Sequence, residues 1–285
     1  MPIFLLKLNM NGTLYIVATP IGNLSDITFR AVEMLKTVDI ILAEDTRHSK
    51  HLLNHYDIAT PMRAFHEHNE RHKTPNVINE LLAGKHIALI SDAGTPLISD
   101  PGYVLVSEAK KAGINVSPIP GSNAMISAIS ASGIASDKFS FFGFLPSKQS
   151  ARLKVIRSIA HINEVAIFYE SPKRILSCAQ DLQMVLGNER IVCFAKELTK
   201  SFETIKTDIL PKLISYLQAD DAHQKGEFSI LVSAVDKDNQ VSGEEILDKI
   251  LPILLTEMGT AKAAKLAAKM TGIDKKYCYQ RAIDL

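Results

Sequence analysis

The sequence predicts an α/β protein built as two successive units with a small helical unit at the end. Three observations carry this. Between residues 12 and 135, short apolar, β-branched runs recur, each closed by a Gly- or Pro-containing loop and followed by an amphipathic stretch. Between 136 and 238 the strand-like runs come closer together, with fewer helical stretches between them, which reads as α+β. Over 239–285 the pattern is wholly helical.

In chain order, Thr13–Ala18 (TLYIVA) reads as a buried strand that stops at Thr19-Pro20-Ile21-Gly22-Asn23. Ser25 or Asp26 can cap a helix running to about Val38, with Ile27, Ala31, Met34, Leu35 and Val38 on one face. Asp39–Leu42 is a second strand, ending in AEDTR (43–47), and a helix follows over Ser49–Tyr56. Thr74 can cap, and Pro75 open, a helix that ends at Gly84. The strand His86–Ile90 runs into SDAGTPLISDPG (91–102), then a helix near Tyr103–Lys111 and a strand near Val116. Pro120-Gly121-Ser122-Asn123 opens a helix rich in Ala, Ser and Ile. This β-loop-α alternation calls for a mostly parallel sheet covered on both faces.

In the second unit, FSFFGFL (139–145), Val165–Tyr169, Ile191–Ala195, Phe202–Lys206 and Phe228–Val235 are strand-like. A basic helix carries Lys148, Arg152, Lys154 and Arg157; another starts at Ser171-Pro172 and runs to Gly187; a third lies near 211–218. Phe139, Phe141, Phe142 and Phe144 are expected in the core. In the last unit Ser242 and Glu245 form a capping box, Pro252 should kink the first helix, and Gly259-Thr260 and Gly272 separate two more.

Composition excludes several classes. With 46% hydrophobic and 22% charged residues among 285, the chain can fill the cores of two domains and is not disordered. A net charge of +1 means that any nucleic-acid reading must rest on local patches. Cys178, Cys193 and Cys278 show no metal-binding spacing and read as reduced, partly buried thiols of a cytoplasmic protein. Residues 1–11 hold no long apolar run or cleavage site; they are expected to be an ill-defined leader, with Met10 a candidate start.

Three strands of the first unit end in unusual loops: TPIGN, AEDTR and SDAGTPLISDPG. In open α/β sheets ligands collect at the carboxyl ends of strands. Gly94 and Gly102 permit close backbone approach, Pro96 and Pro101 stiffen the loop, and Asp92 and Asp100 offer acceptors. One such loop could consist of Asx turns alone; three together favour a site. Neither GxGxxG nor GxxxxGK[ST] is present, so a nucleoside cofactor would need other loop chemistry.

The segments GTLYIVATPIGNLSDITFRAVEMLKTVDIILAEDTRHSKHLL (12–53), HEHNE (66–70), ALISDAGTPLISDPGY (88–103), PIPGSNA (118–124), FFGFLPSK (141–148), FYESPKRI (168–175), KELTKSFET (196–204) and GEFSILV (226–232) closely resemble the ribosomal small subunit methyltransferase I family, within the tetrapyrrole-methylase superfamily. The tail GIDKKYCYQRAIDL (272–285) resembles the same family's helical, helix-turn-helix-like end. The resemblance implies two α/β domains with S-adenosylmethionine in the cleft between them, in a homodimer. It implies methylation of the ribose 2′-oxygen of a cytidine, position 1402, in the decoding region of 16S rRNA of the small subunit. It also implies a cofactor set of Pro20, Gly22, Asn23, Asp92, Ala93, Gly94, Thr95, Ile98, Ser122, Asn123 and Ala124, joined by Tyr169 at the end of its strand. Lys196 stands where members commonly carry Arg, keeping the charge without the bidentate fork.

Methyl transfer from a sulfonium needs alignment foremost, and a base of ordinary strength. Glu44, Asp45, Glu67, Glu170 and Glu197 are candidate bases; Glu170, Asp45 and Arg47 carry the most weight because they follow strand ends. Lys148, Arg152, Lys173 and Arg174 are candidate RNA contacts, as are Lys262, Lys265, Lys275 and Lys276 in a tail with six basic against two acidic residues over 260–285. Tyr277 and Tyr279 could stack on bases or fill a core. No metal is expected: the histidines of HEHNERH (66–72) have spacing suited to a strand or loop, and the transfer requires none. Two other readings stay open, a methylase of small tetrapyrroles and a non-catalytic RNA-binding protein.

Overall fold

A computed structural model describes residues 11–235 and 243–285, in two compact units, one ending at Ala234 and the other starting at Val235. The expected leader and the Ser242 cap lie outside the described residues. Among these, no helix is long and apolar enough to cross a membrane.

The first unit contains two sheets. One is wholly parallel: β1 (Thr13–Val17), β2 (Ile40–Ala43), β3 (Met62–Ala64), β4 (Ile87–Ile90) and β5 (Asn115–Ile119), in the order β3-β2-β4-β1-β5. Successive residues of its central strands enter opposite cores. Ile40 and Leu42 join Ile87 and Leu89 on one face, while Ile41 and Ala43 join Ala88 and Ile90 on the other. Burial on both faces is why these strands read as unbroken apolar runs. Helices α1 (Phe29–Thr37) and α2 (Thr46–His55) cover one face through Leu35 and Leu53; α3 (Glu67–Leu82) and α4 (Tyr103–Lys111) cover the other through Leu81 and Leu105. Neighbouring strands β1 and β4 therefore send their outgoing helices to opposite faces, which opens a crevice at their carboxyl ends. After β5 the chain forms α5 (Ala124–Ala131).

The other sheet holds β6 (Phe139–Phe144), β7 (Val165–Glu170), β8 (Ile191–Lys196), β9 (Thr204–Ile209) and β10 (Phe228–Val232), in the order β6-β7-β10-β8-β9. Only β6 and β7 run parallel. Helices α6 (Gln149–Ile159), α7 (Ile175–Leu186) and α8 (Leu210–Ala219) share one core with it. Its opposite face, with Val165, Ile167, Cys193 and Leu231, packs against Ala128 of α5 and against Ile21.

The second unit has α9 (Gly243–Glu257), α10 (Thr260–Thr271) and α11 (Lys275–Ile283) around Leu247, Leu251, Ala263, Ala267 and Cys278. Asp274 caps α11, accepting from the amides of Lys276 and Tyr277.

Several expectations are corrected. Helix α3 does not start at Thr74 but at Glu67: His66 and Asn69 cap it reciprocally, and Pro75 sits inside. The bond that Pro75 cannot donate would go to the carbonyl of Arg71, an exposed residue that water can serve. The histidines of 66–72 therefore cap and decorate a helix rather than a loop. Thr28, not Ser25 or Asp26, caps α1, after a 3-10 turn at Leu24–Asp26. Asp45 caps α2 three residues earlier than expected, and α7 starts at Ile175. Pro252 does lie inside α9, as expected. Strand β3, three residues long, is too short for periodicity to reveal. All three cysteines are fully buried. Phe139, Phe142 and Phe144 are 40%, 37% and 56% exposed, so they are not core, because β6 is an edge strand. Tyr277 and Tyr279 are exposed.

Candidate active site

The site is built where the loops after β1, β4 and β5 are tied together. Thr19 and Gly94 exchange two backbone hydrogen bonds, Thr19 N to Gly94 O at 2.9 Å and Gly94 N to Thr19 O at 3.0 Å. The Thr95 hydroxyl donates to Ser122 O at 3.2 Å, and the Asp45 amide donates to Asp92 Oδ1 at 3.0 Å. Gly94 has φ +81°, and a Cβ placed there would stand 3.3 Å from Ile21 Cγ2. Leu97 (φ 73°) and Ser99 (φ 68°) also occupy the left-handed region, which costs a non-glycine residue about 1–2 kcal/mol. The far end of the loop is pinned by Glu70, whose Oε1 accepts from the amides of Gly102, Val104 and Leu105.

These loops form one wall of a cleft of about 500 Å³; β7, β8 and β10 supply the other. Of the expected cofactor set, Asp92, Ala93, Gly94, Thr95, Ile98, Asn123, Ala124 and Tyr169 line it. Pro20, Gly22, Asn23 and Ser122 are not part of the lining. Instead the Asn23 amide donates to Thr199 Oγ1 at 3.1 Å, and a Cβ at Gly22 would come within 2.5 Å of Lys200 Cγ. TPIGN is thus a dock between β1 and the segment after β8. Asn123 lines the cleft while its side chain caps α5.

Three carboxylates share the loop wall: Glu44, Asp92 and Asp100. Burial raises the Glu44 carboxyl above its ordinary value, and the nearby Asp92 adds to this. Asp100 is pushed up to about 6, first by burial and further by Glu44 and Asp92, although a Ser91 hydrogen bond opposes the shift. The opposite wall carries Glu170 at the end of β7. Its Oε1 accepts from the Ser171 amide (2.7 Å) and from Arg174 Nε (2.8 Å) and Nη2 (2.6 Å). Its Oε2 is buried, with the Cys178 thiol beside the carboxylate. Burial raises the Cys178 thiol, and the Glu170 carboxylate beside it raises it further. Asp45 and Arg47 are not in the lining; they pair with each other on the exposed start of α2.

The expected RNA contacts divide. Lys148 and Lys173 are exposed. Arg152 is not on a solvated face: its side chain is 5% exposed, with Nε 2.7 Å and Nη2 2.6 Å from Asp181 Oδ2. The period of α6 signals this, since Arg152 shares a face with the buried Ile156 and Ile159. Arg174 is likewise committed, to Glu170. Lys262, Lys265, Lys275 and Lys276 are exposed on the second unit. Lys196 is buried and donates to Ala222 O at 2.6 Å, a single acceptor that needs no bidentate fork. Phe144, Ala195, Phe228 and Ser229 of the second sheet, with Leu198 just after β8, line the cleft without having been singled out as site residues; only tertiary packing turns them inward.

The model of the Tetrapyrrole (Corrin/Porphyrin) Methylases matches residues 13–214, and that of the RsmI C-terminal HTH domain matches 240–285. The Ribosomal RNA small subunit methyltransferase I of Vibrio cholerae is 49% identical over 272 residues, covering 95% of this chain and 94% of its own. The protein of the same name from Pseudomonas aeruginosa is 46% identical over 275 residues, covering 95% and 97%. The chain belongs to the ribosomal RNA small subunit methyltransferase I family. The family's fold is shared more widely. The methyltransferase CobJ superposes with a TM-score of 0.58 at 17% identity, covering 79% of this chain and 95% of that one. A cobalt precorrin-4 methyltransferase does so with 0.57 at 14%, again covering 79% and 95%.

S-adenosylmethionine, the cofactor that family membership implies, is a cationic nucleoside, and the residues present fit it. The cleft is of the size that holds a small ligand, about 300–1,000 Å³. Gly94 leaves backbone open where a side chain would intrude. The carboxylates of Glu44, Asp92 and Asp100 face one space without a cation among the lining residues, so a positively charged ligand relieves their mutual repulsion.

Proposed function

We propose that this chain transfers a methyl group from S-adenosylmethionine to the ribose 2′-oxygen of cytidine 1402 of 16S rRNA, within the small ribosomal subunit, as a cytoplasmic homodimer. The observation that carries this is the cleft itself, in which an acidic loop wall faces Tyr169 and Glu170 of the second sheet. We take the domains as 12–135, 136–238 and 239–285, the first two meeting at that cleft.

When bound, S-adenosylmethionine supplies a methyl group already activated on a sulfonium, so the protein's task is mainly alignment. The backbone of 92–95, with Ile98, Asn123, Ala124 and Tyr169, holds the nucleoside; Pro20, Gly22, Asn23 and Ser122 set the loops behind it. Glu170, at the end of β7 among the cleft-lining residues and with Oε1 fixed by Arg174 and the Ser171 amide, is the group we assign to take the proton of the acceptor hydroxyl. Asp45 and Arg47, at the exposed start of α2, serve as a positioning pair for the arriving RNA. Lys148 and Lys173 meet phosphate near the cleft, and Lys262, Lys265, Lys275 and Lys276 meet it on the helical unit.

The test is transfer of labelled methyl to small subunits lacking their ribose methylations, with the product mapped by mass spectrometry. One 2′-O-methylated cytidine is expected, and a precorrin panel is expected to stay unmethylated. Transfer to a precorrin but not to RNA would replace this reading with the small-molecule one.

A further inference from the structure

We infer that Phe144 is a stacking ledge for the base of the nucleotide being methylated, an assignment that rests on the RNA reading above. The first observation is a change of register. Strands β6 and β7 pair Phe139 with Val165 and Phe141 with Ile167, but next pair Phe144 with Tyr169. Three residues of β6 thus advance against two of β7, so β6 carries one extra residue. Regular alternation would turn Phe144 to the face opposite Phe141; the bulge returns it to the face of Phe141 and Tyr169. That face leads into the cleft, and Phe144 lines it. The bulge is held by Gly143, at φ +64°, where a Cβ would stand 3.4 Å from the Ser99 hydroxyl of the long loop.

The second observation is what the ring does there. It meets Tyr169 edge-to-face, with centroids 5.6 Å apart and planes at 64°. Tyr169 meets Phe141 in the same manner at 4.9 Å. Yet Phe144 remains 56% exposed, a large apolar surface at a cleft whose other side is acidic. An edge-to-face neighbour fixes a ring while leaving area for a further stack.

The third observation concerns charge and identifies the occupant. Exposed Lys148 follows Phe144 by four residues, and exposed Lys173 follows Glu170, the last residue of the neighbouring strand, by three. An open aromatic ring with lysines close by suits an unstacked nucleotide, whose base needs a flat apolar partner and whose phosphates need cations. The three carboxylates without a cation, Glu44, Asp92 and Asp100, are on the loop wall, whereas Glu170 and Glu227 on this one are paired with Arg174 and Lys200. A ribose hydroxyl presented to the cleft requires its nucleotide to leave the RNA stack, and Phe144 supplies the replacement.

The test compares the full-length wild-type chain with Phe144→Ala, Phe144→Leu and Phe144→Tyr. Three quantities are measured: S-adenosylmethionine affinity by calorimetry, affinity for unmethylated small subunits, and single-turnover methyl transfer. In the alanine variant, subunit affinity and transfer efficiency are expected to fall by about 5- to 150-fold, the range for losing one base stack, with cofactor affinity within about twofold. Tyrosine is expected to restore both, whereas leucine, equally apolar but not flat, stays with alanine. Leucine matching phenylalanine would overturn the proposal, as would a loss confined to cofactor affinity. If the wild-type chain transfers nothing, the methyltransferase reading falls; subunit binding still separates tyrosine from leucine, and equal binding by all four proteins overturns the ledge.

Discussion

Replacing Glu70 with alanine is expected to destabilise the chain by about 3 kcal/mol and to loosen the long loop after β4. Gly102 is the N-cap of α4 and has no side chain to accept from the first turn. Glu70 does this from a distance of 32 residues. Its Oε1 takes the Gly102 amide at 3.1 Å, the Val104 amide at 2.9 Å and the Leu105 amide at 3.2 Å, and the residue is 6% exposed. Loss of an ordinary N-cap costs about 1 kcal/mol. A carboxylate at a partly buried helix N-terminus contributes up to about 2 kcal/mol. A buried amide left without a partner costs about 1–3 kcal/mol, and water entering the space left by the side chain recovers part of this. Together these give about 3 kcal/mol for alanine. Glutamine, whose carbonyl oxygen can still accept, should cost about 1 kcal/mol because only the charge is lost. Urea denaturation followed by circular dichroism reads both values. Because the same bonds fix the end of the cofactor loop, S-adenosylmethionine affinity should fall in the same order, alanine more than glutamine. An alanine variant within about 0.5 kcal/mol of wild type, the scatter of an ordinary surface change, would refute this account of the loop. So would a glutamine variant as unstable as alanine.

Gly94→Ala is expected to strain a left-handed position by about 1–2 kcal/mol and to weaken cofactor binding, with the far-ultraviolet spectrum unchanged; unaltered affinity in calorimetry would remove Gly94 from the cradle. Asp100 yields two pH effects of opposite sign. With its carboxyl at about 6 in the folded chain, against about 3.9 unfolded, the folded state holds the extra proton between those values. Its contribution to stability therefore falls as pH rises from about 4 to 6, and Asp100→Asn should melt higher than wild type at pH 7. Affinity for cationic S-adenosylmethionine should instead rise as pH rises through about 6 in the wild-type chain, and less steeply in the asparagine variant. Calorimetry showing a flat profile from pH 5 to 7.5 in the wild type would contradict this. Arg152→Ala should cost about 3–5 kcal/mol by leaving Asp181 buried without its cation, whereas Lys148→Ala should leave stability unchanged and weaken subunit binding; the reverse pattern would return Arg152 to the RNA surface.

Much of this protein was legible in its residues. Continuous apolar runs such as Ile87–Ile90, closed by Gly- and Pro-rich segments, fit strands buried on both faces that end in loops. Long motifs such as SDAGTPLISDPG were enough to indicate the family and its cofactor. Local signals also misled in identifiable ways. Pro75 looks like a helix start because the sequence does not show that Glu70 and Thr74 are already buried on the same helix. Arg152 looks like a cation for RNA until Asp181, 29 residues away, is placed beside it.

Periodicity, capping and turn chemistry act over two to four residues, so the sequence by itself determined the elements, their order and the loops that would carry chemistry. Strand order and register act over tens of residues, and only the tertiary structure decided which of those loops meet. The order β3-β2-β4-β1-β5 brings Glu44, at the end of β2, beside Asp92 and Asp100 in the loop after β4. One extra residue in β6 turns Phe144 toward the same cleft. The first placement leaves no trace in local sequence and the second only Gly143 inside its strand, because each is set by which distant backbone a strand pairs with.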